Sequence, residues 1–311
     1  TPADETPCGY SGICSNGKML LLSTVCRENG GDIIYTRTDS GESWKIIMNG
    51  LEYSRFDWNI PYMKPRYNGG GNCVHWISDI KLSPFDSDTA LFNTGTGLFM
   101  ITGLASGDVL VKPFCEGIEE TVHLNVYTTP HGRNRIIDII GDLGGFAFED
   151  YDSECENSFA NENGDRYITC LNADFTLQRP EYIVATPRGN WTGKTKGGLI
   201  LSKDCGSTWE RLPMPRGLSE FIDQKLDNIE KPNVDSGWTA ISADGKRIMW
   251  AVAGGRGFSN KAVCYTDDEG KTWQKSIFTD SSGNSADEHN VKIFSDYYNS
   301  DLFFAIAERE N

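Results

Sequence analysis

The residues best able to hold a metal or attack a substrate are four histidines, His75, His123, His131 and His289, and nine cysteines. No histidine has a second histidine or cysteine three or four positions away, and no cysteine pair has CxxC spacing. A metal centre or thioredoxin-like redox motif is therefore not expected, and no cofactor is implied. There is no Gly-x-Ser-x-Gly elbow, and no glycine-rich phosphate loop opens a helix. What remains is carboxylates and aromatic rings. These are the groups that glycosidic bond cleavage needs: one carboxylic acid to protonate the leaving oxygen, a second carboxylate to activate water, and flat rings for sugars to stack on.

Asp142 is the carboxylate with the most telling neighbours. It follows the apolar run 136–140 and precedes Gly144 and Gly145. A carboxyl at a strand end beside apolar residues suits a general acid, and the glycines leave room for a bulky polymer. The same position equally suits a turn carboxylate that serves only its own backbone. Candidate sugar platforms are Trp58 and Tyr62, in the aromatic- and glycine-rich stretch 56–71, with His75 and Trp76 just beyond it. Trp58 and Tyr62 are expected in an exposed loop; for Trp76, contact with polymer and core packing are about equally expected.

The elements that position these residues are strands. Three segments repeat Asp-x-Gly-x-Ser/Thr-Trp: Asp39 to Trp44, Asp204 to Trp209 and Asp268 to Trp273. Each follows a β-rich run, at 32–38, 198–202 and 262–266. The carboxylate can accept backbone N–H groups, the glycine takes a left-handed conformation, and the tryptophan packs between sheets. This is the Asp-box, a turn between the outer strands of a propeller blade, and its aspartates are read as structural. Trp44, Phe99, Phe146, Trp209 and Trp273 recur about 50 to 65 residues apart, a spacing that suits four-stranded blades. The fold expected is all-β: one β-propeller region over 1–311, with five blades and the opening strands of a sixth. Apolar residues at helical spacing predict a short inserted helix over 217–231, and the acidic stretch 150–165 reads as an exposed loop.

Composition narrows the partners. With 44 acidic and 29 basic residues, the formal charge is −15, which argues against phosphate-backbone binding to nucleic acid. The apolar runs are strand-sized, so no membrane partner is expected. No charged and apolar leader opens the sequence, and a secreted protein whose signal has been removed is the expectation. Nine cysteines suggest a few disulfides plus one or more buried free thiols, with Cys8 and Cys14 as a local pair.

Longer blocks resemble glycoside hydrolase family 74, the xyloglucanases. Gly117 to Val122, Thr129-Pro130-His131-Gly132 and Ile140 to Phe146 look like one block of that family. The runs His75 to Ile80, Ser83 to Asp86, Thr94 to Leu98 and Asn172 to Phe175 are similar to others, in the same order. The resemblance implies two seven-bladed propellers in tandem, an open cleft for the β-1,4-glucan backbone of xyloglucan, and an inverting mechanism with one aspartate from each propeller. It places Asp142 as the general acid. The family's other aspartate lies in a Thr-Asp-x-Gly-Gly segment that this sequence lacks. The chain therefore resembles the second, C-terminal propeller, and implies an N-terminal propeller domain or companion chain as partner. The alternative is a non-catalytic propeller that binds carbohydrate.

Overall fold

The computed structural model describes residues 2, 6–27, 31–38, 43–51, 55–60, 62–63, 74–118, 121–154, 157–189, 195–215, 237–252, 263–284 and 289–308. Every element named among them is a β-strand. The segment 217–231 and the first Asp-box carboxylate, Asp39, lie outside the described residues. The chain divides into two compact units, Thr1–Thr121 and Val122–Asn311.

The first unit holds two antiparallel meanders. One runs β1 (Gly9–Ser15), β2 (Met19–Val25), β3 (Ile33–Thr38) and β4 (Lys45–Asn49). The other runs β5 (Asp79–Leu82), β6 (Ala90–Thr94), β7 (Gly97–Thr102) and β8 (Leu110–Pro113). Leu21, Ile34, Ile80, Phe92, Phe99 and Val111 are buried together between them. Alternation along each strand turns these side chains to one face.

The second unit holds three four-stranded meanders and a pair. They are β9 (Val122–Thr128), β10 (Ile136–Gly141), β11 (Gly144–Phe148) and β12 (Asn157–Ser158); then β13 (Cys170–Phe175), β14 (Ile183–Pro187), β15 (Ile200–Ser202) and β16 (Glu210–Arg211). Next come β17 (Trp238–Ile241), β18 (Ile248–Ala251), β19 (Val263–Thr266) and β20 (Gln274–Lys275), followed by β21 (His289–Ser295) paired with β22 (Phe303–Glu308). Successive sheets pack face to face through Ile137, Ile139, Phe159 and Trp209, then through Val184, Leu201, Ile248 and Trp250. The acidic stretch 150–165 is not all exposed loop: it carries β12 and the fully buried Phe159, whose ring packs 4.4 Å from that of Trp209.

Polar side chains tie the first strands of these sheets together. Asn172 on β13 donates to the Tyr127 hydroxyl on β9 at 3.1 Å and accepts from Thr239 N on β17 at 2.8 Å. Asp174 accepts from Ile241 N on β17 at 2.9 Å and from Ser295 Oγ on β21 at 2.8 Å. Asp174 is buried, and burial pushes its carboxyl up to about 7 against the pull of those donors.

The turns at Asp204 and Asp268 are built alike. Asp204 accepts from Thr208 N at 2.8 Å, Thr208 Oγ1 at 2.6 Å and Ser202 Oγ at 2.8 Å. Asp268 accepts from Thr272 N, Thr272 Oγ1 and Thr266 Oγ1 at the same three distances. Cys205 and Glu269 hold the same left-handed backbone, with φ of 60° and 58°, each followed by a left-handed glycine. Trp209 is buried, and Trp273 donates its ring N–H to Pro213 O at 2.9 Å. Trp44 is half-buried beside Leu22, Ile33 and Tyr35, with the Arg37 guanidinium 5.9 Å from its ring centre.

Seven cysteines are described, and Cys14, Cys26, Cys115, Cys170, Cys205 and Cys264 are free thiols. The expected Cys8–Cys14 bridge is not formed. Cys14 lies on β1 opposite Leu21 and packs toward the core, and burial pushes its thiol up.

Candidate functional site

Asp142 sits in the two-residue connection between β10 and β11. Its φ is 62°, the left-handed region that aspartate tolerates better than most residues. Its N–H donates to Thr169 Oγ1 at 3.0 Å, and Thr169 is itself buried just before β13. Leu143 is buried beneath the turn, so the turn is anchored by its second residue and exposes its first.

Two sequence expectations are corrected at this turn. Asp142 is exposed and does not lie in an apolar pocket. The buried carboxylate of this hairpin is Asp138, four residues earlier and 7% exposed. Its oxygens lie 3.0 and 2.9 Å from His123 Nδ1 on β9; burial pushes its carboxyl up, and the histidine works against that shift. The glycines also answer to the protein, not to a polymer. A β-carbon on Gly144, at φ 81°, would stand 2.7 Å from Tyr167 O, and one on Gly145 would stand 2.8 Å from both Asp138 O and the Phe159 ring.

In the first unit the expected platforms separate. Trp58 is 8% exposed, its ring stacked on Phe56 with centres 4.9 Å apart and set edge-on to Phe99. It is core and not a sugar platform, because Phe56 and the hairpin of β6 and β7 give it more apolar surface than a loop would. Tyr62 is half-buried against the same core, with its hydroxyl 3.5 Å from Thr96 O and 3.6 Å from Cys115 Sγ.

Trp76 differs: it is 59% exposed and has a φ of 60°. Left-handed backbone is unfavourable for a bulky residue and persists only where the surroundings impose it. Here Val74 and Ile77 on either side are buried, and both are tied to buried Asp32: Asp32 N donates to Val74 O at 2.9 Å, and Ile77 N donates to Asp32 Oδ2 at 3.1 Å. The Trp76 ring lies beside the tip of the β6–β7 hairpin, 3.5 Å from where a β-carbon on Gly95 would stand, and 5.3 Å from the half-buried His75 ring. The structure thus brings His75, Trp76 and the β6–β7 turn together.

Sequence reasoning missed three features of the second unit: the Asp138–His123 pair, the Thr169 support and a cavity of about 450 Å³ at the starts of the first strands. The first had a visible signal, a carboxylate inside an apolar strand. The other two depend on residues far apart in sequence. Among the described residues, no group of three or more histidine, cysteine or acidic side chains could hold a metal ion, and no helix is long and apolar enough to cross a membrane.

This succession of four-stranded meander sheets, two of them closed by an Asp-turn between their last two strands, defines a β-propeller protein. No protein-family profile matches the chain. A xyloglucanase of Paenibacillus sp is 24% identical over 327 residues, covering 96% of this chain and 28% of that protein. An oligoxyloglucan-reducing end-specific xyloglucanase of Emericella nidulans is 25% identical over 282 residues, covering 79% and 33%. The crystal structure of the family 74 xyloglucanase from Xanthomonas campestris overlays with a TM-score of 0.71 at 21% identity, covering 98% of this chain and 38% of that one. The chain spans about a third of the length of these relatives.

Proposed function

We propose that the chain is the C-terminal propeller of a secreted xyloglucan hydrolase and carries its general acid, Asp142. The observation that carries this reading is the Asp142 turn: an exposed carboxylate on a left-handed, buttressed hairpin tip, within a chain whose curated relatives are named xyloglucanases. Inversion needs a second carboxylate, roughly 6.5–9.5 Å away, to activate water. In this reading an N-terminal propeller or companion chain supplies it. Closure of that partner over a bound glucan chain removes water from Asp142 and makes it a competent acid. Trp76 and His75 offer one platform for the substrate, which is neutral and meets no penalty from the acidic surface. Asp142→Asn in the complete protein should lower xyloglucan turnover by orders of magnitude with an unchanged melting temperature; wild-type turnover removes Asp142 from the mechanism.

A second reading is a carbohydrate-binding propeller without catalysis, favoured by the lack of a Thr-Asp-x-Gly-Gly segment in the sequence. Xyloglucan oligosaccharides that bind the complete wild-type protein without releasing new reducing ends would select it.

A further inference from the structure

The cavity of about 450 Å³ lies wholly within the second unit, at the starts of its first strands. Leu124 and Asn125 of β9, Leu171 of β13, Trp238 of β17, and Val291 and Lys292 of β21 line it. Its size falls in the range of small-molecule sites. Strand register places it at the same end of the sheets as the Asp142 turn. Val122, two residues before Leu124, pairs with Gly141, and Thr169, two residues before Leu171, holds Asp142 N.

The lining is mostly apolar, with one aromatic ring, one amide and one cation. Lys292 is exposed, and its ammonium sits 5.1 Å from the Trp238 ring centre. Phe294 meets the same ring edge-on at 5.9 Å. Trp238 Nε1 is buried with no acceptor among the described residues, a state uncommon in folded proteins. The electron-rich ring face that attracts an ammonium also attracts the slightly positive C–H hydrogens of a pyranose face. Lys292 offers three donors and Asn125 an amide for hydroxyl groups at the rim. With a net charge of −15 the chain repels an anionic ligand, and the Lys292 ammonium at the rim repels a cationic one, which leaves a neutral ligand with apolar faces and hydroxyl edges.

From this geometry we infer that the cavity is a binding site for one glycosyl unit of a neutral glucan, with Trp238 as its platform and Lys292 and Asn125 at its rim. The inference deepens the proposed function and rests on it for the identity of the glucan. A chain passing Asp142 would then be gripped beyond the cleavage point, where binding can pay for distortion at the reacting sugar.

The test uses the complete protein and titrates cellotetraose and a xyloglucan heptasaccharide by calorimetry. Trp238→Ala should weaken binding at least tenfold, and Trp238→Phe, which keeps a ring, should recover most of it. Trp238 also contributes to packing, so Leu124→Trp, which fills the cavity from an exposed position, gives an independent reading and should weaken binding as much. Binding by Leu124→Trp and Trp238→Ala equal to wild type overturns the site, whatever the wild type cleaves; so does a wild type that binds neither sugar. A wild type that fails to cleave xyloglucan, yet binds either sugar in a Trp238-dependent way, overturns the hydrolase reading and upholds the site.

Discussion

The backbone N–H of Asp142 donates to Thr169 Oγ1 at 3.0 Å, so the start of one sheet fixes the hairpin tip of the sheet before it. Thr169→Val removes the acceptor and leaves that N–H unpaired, at a cost of about 1 kcal/mol in stability. On the proposed function the larger effect should fall on turnover, because Asp142 loses its defined aim. In the complete protein, kcat on xyloglucan should drop about ten- to hundredfold with little change in KM. Thr169→Ser should restore it, and a fall in melting temperature alone would reduce Thr169 to a structural role.

Gly144 and Gly145 make a prediction about folding. Gly144→Ala places a β-carbon against Tyr167 O at a left-handed φ, and Gly145→Ala places one against Asp138 O and Phe159. Each should cost about 2–3 kcal/mol, read from urea unfolding. Stability within about 0.5 kcal/mol of wild type, accompanied by weakened substrate binding, would return these glycines to the role of clearing a path for polymer.

Trp58 and Trp76 should respond in opposite ways. Trp58→Ala removes a stacked core ring and should cost about 3–5 kcal/mol. Trp76→Ala removes an exposed ring and should stay within about 0.5 kcal/mol of wild-type stability. If Trp76 is a sugar platform, the same variant weakens oligosaccharide binding about tenfold, or by about 1.4 kcal/mol. Unchanged binding would leave its left-handed backbone without a functional explanation.

Asp174 sets a pH dependence. Its carboxyl titrates at about 7 in the folded chain and at the ordinary 3.8 when unfolded. The folded state therefore holds the proton more tightly. The associated stability is fully present below about pH 4 and is lost as pH rises to about 7. Asp174→Asn mimics the protonated form and should flatten that part of the profile. Urea midpoints between pH 4 and 8, compared for the two proteins, give the answer: parallel profiles would mean that Asp174 is not the titrating group.

Strand order, the recurring aromatic markers and the family resemblance were legible in the sequence, because strand alternation and turn chemistry are local. The Asp204 and Asp268 turns show this best: the seven residues from Ser202 to Thr208, and from Thr266 to Thr272, carry the side-chain bonds of each turn. Asp142 was also legible as a candidate, since a carboxylate between an apolar strand and two glycines is a local pattern. Its environment was not. Whether a strand-end carboxylate meets solvent or a pocket depends on sheets that pack from elsewhere in the chain, and here the buried partner is Asp138. Trp58 and Trp76 stand close in sequence and look alike there, yet one is core and the other is held outward. That difference comes from Phe99 and Asp32, which only folding brings beside them. The cavity at Trp238 has no sequence signature at all, because its walls come from four strands spread between Leu124 and Lys292 that only the tertiary structure assembles.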